Sequence, residues 1–304
     1  MKPLNYLLCL PLTSMLGLAP AGAAELSEQT QVSGYLSYGQ NYNSNLKTAE
    51  LDNASGRSAA GQKLEAQLAL RWKPTEQWTL DLGYTHQQNR WQDNSDFNTT
   101  LGLWALDLSY QAKWLTLGGT VHKADAELAS EDFLGLEQYS LYLAKLWLQR
   151  YYVRISLNQT DKDFKVLDDR DAKQQQLRSD LFVFSADQQG FVQLGLAYQD
   201  EQTQSELFDF RGPLLQLKAS QQWRWLEQDH KLQLGWQWQH KDYQMAGEAE
   251  KRQDRINSWQ LNWQWQLNHY LALTTQLEHQ NSASNVPTAD YSQNLAGMAL
   301  RLSF

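Results

Sequence analysis

The residues that could do chemistry are dispersed along this chain. Its six histidines, His86, His122, His230, His240, His269 and His279, include no pair spaced like a metal-binding pair on one helix face. His86 and His240 fall near the outer rim close to acids, as a proteolytic site of paired carboxylates with a histidine would require, but the histidines as a set are scattered. The acid-rich stretch DKDFKVLDDRD offers Asp161, Asp163, Asp168, Asp169 and Asp171 as oxygen ligands for a divalent cation. Lys162, Lys165 and Arg170 interleave with those acids, and no glycine supplies a calcium-loop turn, so the stretch reads as a solvated loop. The one cysteine, Cys9, falls in an N-terminal apolar segment, which leaves the rest of the chain without disulfides, thiolate metal sites or thiol nucleophiles. The expectation is a protein that is not an enzyme and carries no cofactor and no metal.

What the chain offers instead is polar chemistry repeated at every second residue. In WQLNWQWQLNHY, residues 259–270, Trp259, Leu261, Trp263, Trp265 and Leu267 alternate with Gln260, Asn262, Gln264 and Gln266. Alternation of this kind is the signature of a strand with two different faces. The same pattern recurs near 31–40, 63–73, 78–88, 99–111, 114–123, 137–147, 150–159, 178–187, 190–200, 213–225, 229–240, 256–267, 269–280 and 292–304. Segments of about ten residues fit tilted strands that cross a bilayer, whereas strands of soluble domains average about five or six.

The connections sort into two kinds. Short ones include Lys73 to Gln77, Ala112 to Trp114, the turn at Gln149, Asp187 to Gly190, Leu226 to Asp229 and the turn at Asn268. Long polar ones include Asn41 to Gln62, Thr160 to Arg178 and Gln244 to Asp254. Trp72, Trp78, Trp114, Trp147, Trp223, Trp225 and Tyr270 gather beside the short turns, as an aromatic girdle at a membrane interface would. These features predict an all-β fold: a transmembrane antiparallel up-and-down β-barrel of about 14 strands. Closure satisfies every backbone group between strands, which lipid cannot do.

The two ends agree with an exported barrel. Lys2, the apolar stretch Leu4 to Leu18 and the small residues through Ala24 read as a cleaved signal peptide, placing residues 1–24 outside the mature chain and 25–304 in the barrel. At the other end Leu300, Leu302 and Phe304 share one strand face, and a terminal Phe closing such a strand resembles the signal read by the bacterial barrel-assembly machinery. The expected location is the bacterial outer membrane, with its lipid and lipopolysaccharide as surroundings and no nucleic-acid partner. A composition of 42% hydrophobic and 20% charged residues with a net charge of -8 excludes a helical membrane protein.

Alternation also assigns a lumen face. Its expected lining is Arg71, Asp81, Arg154, Lys218, Arg224, Lys231, Gln233, Gln237, Gln260, Gln264, Gln276, Glu278 and Arg301, with Lys145, Gln216, Glu65 and Asp107 in the same set. A modest basic excess favours anionic solutes, or the charges pair as structural ladders; inward amides suit hydroxyl-rich solutes or simply hydrate the wall. The sixth strand is ambiguous, because Leu141 and Leu143 share a face with Lys145.

Three stretches, NYNSN (41–45), RQDR (252–255) and SASNVPTADYSQN (282–294), make residues 30–304 resemble the barrel of surface lipoprotein assembly modifiers and related export barrels. The chain departs from that family in having no room between its signal and its first strand for a helical-repeat domain. It is also similar in length to fourteen-stranded monomeric porins. These resemblances imply a porin-like pore for hydrophilic solutes or the membrane pore of a protein or polysaccharide export system with a periplasmic partner, and the barrel itself leaves a third expectation, a structural or adhesive barrel with a closed lumen.

Overall fold

A computed structural model describes residues 24–27, 29–48, 51, 53–246 and 251–304. The segment expected to be a signal peptide, with Cys9, lies outside the described residues except for Ala24. The chain forms a closed antiparallel barrel of 14 strands. They are β1 (Thr30–Asn43), β2 (Ala59–Trp72), β3 (Trp78–Trp91), β4 (Thr99–Gln111), β5 (Thr116–Leu128), β6 (Glu131–Trp147) and β7 (Tyr151–Phe164). The second half is β8 (Ala172–Phe184), β9 (Gly190–Thr203), β10 (Phe210–Trp225), β11 (Gln228–Ala246), β12 (Lys251–Gln266), β13 (Leu271–Ser284) and β14 (Tyr291–Ser303). Each strand pairs with its neighbours in sequence, and β1 pairs with both β2 and β14. A short strand, Ala24–Ser27, adds to β1 below the barrel proper.

The ladder closes at a seam with its own chemistry. Nine register pairs join β14 to β1, from Leu295 opposite Asn43 to Ser303 opposite Tyr35, against fourteen between β1 and β2. The seam is extended by Phe304, whose N–H donates to the Gly34 carbonyl and whose carbonyl accepts from the Gly34 N–H, each at 3.0 Å. Gly34 leaves the room in which the Phe304 ring lies: a Cβ there would stand 2.6 Å from Phe304 Cζ and 2.8 Å from the Gln67 carbonyl oxygen. An aromatic ring laid over a strand glycine restores packing that the glycine lacks.

The outward face is an apolar band between two rows of aromatics. Trp72, Trp78, Trp147, Trp223 and Trp225 stand exposed beside the short connections, joined by Trp114 and Tyr270. A second row, unpredicted, runs through Tyr38, Trp104, Tyr139, Tyr198 and Trp259, all exposed. Leu68, Leu82, Leu106, Leu143, Ile155, Leu181, Leu196, Leu234 and Leu300 fill the band between them. Six to eight residues separate the rows, about 20–26 Å measured along the strand at ~3.3 Å per residue.

Strands run 13 to 19 residues, longer than the expected ten. The difference lies almost wholly on the side of the long connections. Beyond the second aromatic row the outward side chains become polar (Lys123, Asp125, Gln159, Gln175, Asp200, Arg211), yet pairing continues. Alternation ends at that row, so the sequence pattern marks the edge of the apolar band and not the end of the strand. The expected loop between the fifth and sixth strands is therefore a hairpin turning at Ala129 and Ser130, both at positive φ (54 and 70). The connection expected from Thr160 to Arg178 shrinks to 165–171, and Asp161 and Asp163 belong to β7.

The acids of that loop do not converge, and among the described residues no group of three metal-ligating side chains forms. Asp163 bonds Lys165, Asp171 accepts from the Phe164 N–H at 2.7 Å, and Arg170 lies over the Phe208 ring at 4.0 Å. On the short-turn side, Thr75 Oγ1 accepts from the N–H groups of Gln77 and Trp78. In the turn after β8, bonds from the Ser185 hydroxyl and the Gln189 N–H hold the Asp187 carboxyl below the usual carboxylate range.

Candidate functional site

The face that carries Arg71, Asp81, Arg154, Lys218, Lys231, Gln233, Gln237, Gln260, Gln264, Gln276, Glu278 and Arg301 is opposite the apolar band, hence the inner face of the closed wall. Arg224 shares it but lies exposed at the short-turn mouth, where it pairs with Asp229 at 2.9 Å. Lys145 does not: with Leu141 and Leu143 it faces outward, and its ammonium sits over the Trp147 ring at 5.3 Å. Near a membrane edge a lysine can lay its stem along lipid and lift its charge to the interface. That corrects its expected inward placement and resolves the ambiguity of the sixth strand.

The inner charges are ordered into networks. Arg71 grips Asp81 through two bonds of 2.7 and 3.0 Å, and Asp81 stands directly opposite Asp107 on β4. Tyr142 donates to Asp107 at 3.0 Å, its ring lies flat over Gly118, and the Arg154 guanidinium covers that ring at 3.8 Å. A side chain at position 118 would collide with Tyr142, so the glycine fixes the ring against the wall. Two strands on, Arg178 bonds Asp180 at 2.7 and 2.8 Å and Gln216 at 2.6 Å, and Gln193 donates to Asp180. Across the seam, Tyr35 and Lys63 both reach Glu65 at 2.6 Å, and Arg301 covers the Tyr35 ring at 4.1 Å. Gln260 donates to Glu278 at 3.2 Å.

These networks leave an excess of positive charge. Eleven inward cations on the strands (Lys63, Arg71, Arg154, Lys162, Arg178, Lys218, Arg224, Lys231, Lys241, Arg252, Arg301) meet nine carboxylates (Glu65, Asp81, Asp107, Glu131, Asp180, Glu201, Asp229, Asp254, Glu278). The chain as a whole carries -8, so the inner wall opposes the sign of the protein. Among the described residues neither Arg154 nor Lys231 has a carboxylate within ion-pair distance.

The connection between β1 and β2 turns inward. Leu46 is buried against Ala59 and Trp91, and Leu51 packs on an apolar cluster of Leu103, Ala124, Leu134, Leu136 and Phe164 from β4–β7. Lys47, in a small hairpin with residues 53 and 54, reaches the opposite side and donates to Tyr291 Oη at 2.7 Å and Gln280 Oε1 at 3.2 Å. The hairpin therefore touches the wall at β4–β7 and at β13–β14, across the outer end of the lumen. Sequence reasoning placed this segment in a long outer loop and missed Lys47, because nothing local marks a loop residue as pointing inward.

The histidines do not assemble. His86 and His240 face outward on distant strands, His122 bonds Gln138 on the inner wall, and His230 is stacked among Trp223, Trp263 and Trp265 on the outer face.

Fold and wall together define the class: a closed outer-membrane-type barrel with a polar lumen. Residues 224–304, the end of β10 and all of β11–β14, match the family model described as "Putative beta-barrel porin 2". An anion-selective porin from Comamonas acidovorans superposes with a TM-score of 0.51 at 10% identity, covering 93% of this chain and 100% of that one. OmpT, an outer membrane protein of Vibrio cholerae, superposes with a TM-score of 0.52 at 6% identity, covering 92% and 100%. At such identities the likeness concerns the fold. A search of curated proteins gives no match.

Proposed function

We propose that the chain is a bacterial outer-membrane pore that passes small hydrophilic solutes passively and favours anions. The observation that carries this reading is the inner wall, polar over most of its length and basic by eleven charges to nine inside an acidic protein. Low-dielectric walls focus such a field on the lumen, raising the local concentration of anions and lowering that of cations. The superposed Comamonas porin is described as anion-selective, which is compatible. In this reading the chain is not an enzyme. Its surroundings are outer-membrane lipid and lipopolysaccharide, reached through the barrel-assembly machinery that would read Leu300, Leu302 and Phe304.

The test is single-channel conductance of the refolded protein in a planar bilayer, with reversal potential under a salt gradient. Open conductance with a reversal potential on the anion side is expected. Cation preference would overturn the charge argument. Current that appears only when a periplasmic partner is added would replace the reading with an export pore, and a barrel that never conducts would replace it with a structural or adhesive one.

A further inference from the structure

On the outward face, at the long-connection end of β11 and β12, aromatic and basic side chains follow one another in register. Trp236 and Trp259 are partners with centroids 6.0 Å apart, and Trp238 stands opposite Asn257 one outward step further on. At the next step His240 and Arg255 are partners, so their Cβ atoms stand about 5 Å apart. The His240 ring stacks on Trp238 at 6.2 Å and 11°, and its Nδ1 is buried with no hydrogen-bond partner among the described residues. Lys251 lies on the same face of β12, about 13 Å beyond Arg255 at ~3.3 Å per residue. A groove of about 570 Å³ runs between them, lined by Lys251, Gln253, Arg255, Ser284, Asn285 and Asp290. Two bonds fix its floor: the Gln253 N–H donates to Asn285 Oδ1 at 2.9 Å, and the Asn285 amide donates to the Lys251 carbonyl at 2.8 Å.

The cations of this groove are unclaimed. Among the described residues neither Arg255 nor Lys251 has a carboxylate within ion-pair distance, and both are exposed. Elsewhere on the outward rim Lys123 is held by Glu137 at 3.0 Å, and Arg211 stands in register between Asp200 and Asp242. Asp290 is the one acid in the groove lining, which leaves it net positive. A guanidinium grips phosphate through two parallel bonds, and the amides of Gln253 and Asn285 both donate and accept, as sugar hydroxyls require. The tryptophans beneath offer apolar surface to acyl chains. A phospholipid headgroup would be answered by Arg255 and His240 alone, whereas a groove that continues about 13 Å to Lys251 fits a phosphorylated saccharide on a lipid.

We infer that this groove is a docking site for lipopolysaccharide. A headgroup phosphate lies between Arg255 and His240, its sugars meet Gln253 and Asn285, Lys251 takes the next anionic group outward, and the acyl chains descend over Trp238 and Trp259. The inference rests on the outer-membrane placement in the proposed function and gives one of its surroundings a specific seat.

The experiment is native mass spectrometry of the refolded protein in detergent, titrated in parallel with diphosphorylated lipid A carrying its first core sugars, the same lipid without phosphates, and phosphatidylglycerol. One copy of the diphosphorylated lipid is expected to bind at least fivefold more tightly than either of the others. Arg255→Gln should erase that preference and Lys251→Gln should weaken it. Arg90→Gln, which removes an exposed outward cation on β3, should leave it unchanged. Equal affinity for phosphatidylglycerol would overturn the site as a general attraction to anionic lipid. Equal losses from Arg90→Gln and Arg255→Gln would overturn it as diffuse electrostatics, and a preference that survives both Arg255→Gln and Lys251→Gln would put the lipid elsewhere. Displacement of the lipid by equimolar inorganic phosphate would make the groove a free-anion site and overturn the lipid assignment. If these arms fail while anion-selective conductance is retained, the docking site falls and the pore reading stands. Recovery of the expressed chain outside the outer-membrane fraction of cells would instead bring down the placement itself. Heat-modifiable gel mobility verifies that each variant is a folded barrel before affinities are compared.

Discussion

Replacing Phe304 by alanine, and separately deleting it, distinguishes two contributions to barrel closure. The ring is 52% exposed, so about half of the ~2–3 kcal/mol for full burial of a Phe is at stake, about 1–1.5 kcal/mol. Phe304→Ala keeps the backbone and should cost only that amount. Deletion also removes the two 3.0 Å bonds to Gly34, each worth ~1 kcal/mol where interfacial water can compete, for about 3 kcal/mol in total. Gly34→Ala introduces a Cβ 2.6 Å from the ring and 2.8 Å from the Gln67 carbonyl oxygen, an overpacking cost of about 1–3 kcal/mol. In the Phe304→Ala background the ring clash is gone, so the double variant should be more stable than the sum of the singles by about 1 kcal/mol. The assay is urea unfolding in lipid vesicles followed by tryptophan fluorescence, which uses refolded protein and so separates stability from recognition by the assembly machinery. Additive singles, or a deletion no costlier than the alanine variant, would refute the claim that Phe304 packs and bonds the seam.

Lys231→Glu changes the lumen by two charges. For an ion passing at about 8 Å, a unit charge contributes ~0.5 kcal/mol at the dielectric of water, and screening at 0.1 M salt leaves ~0.2 kcal/mol. The anion-to-cation permeability ratio should therefore fall about fivefold in reversal-potential measurements at 0.1 M and barely change at 1 M. Lys47→Ala frees the hairpin that bonds Tyr291 and Gln280, and single-channel records should show higher mean conductance with more open-state noise. An unchanged record would mean the hairpin does not limit flow. The turn at Leu226 and Glu227 holds both residues at positive φ (49 and 63), so substitution by Asn-Gly should stabilise the barrel by about 1 kcal/mol or more in the same urea assay.

The sequence by itself determined the strand count, the antiparallel order, the two faces and the side of the short turns. It could do so because an apolar outward band imposes a local rule: outward residues within the band are mostly apolar, and the rule repeats at every second position. Trp72, Trp78, Trp223 and Trp225 were legible for the same reason, since interface aromatics sit at fixed places relative to the turns. Beyond the apolar band the rule lapses, and tertiary structure alone decided the outcome. The strands extend past the outer aromatic row, and β5 and β6 turn tightly at Ala129 and Ser130. Lys145 faces outward because register, not charge, sets its side, and its stem is long enough to lift the ammonium to Trp147. An aromatic patch on the inner face at the short-turn end of β7–β9 left a trace that alternation could have exposed, because Phe182 and Phe184 share parity with Arg178 and Asp180 in LRSDLFVF. Its junction with Phe191 and Tyr152 is not written in any one segment. It exists only because three strands pair in one register, and the same holds for the hairpin that brings Lys47 to Tyr291 across 244 residues of chain.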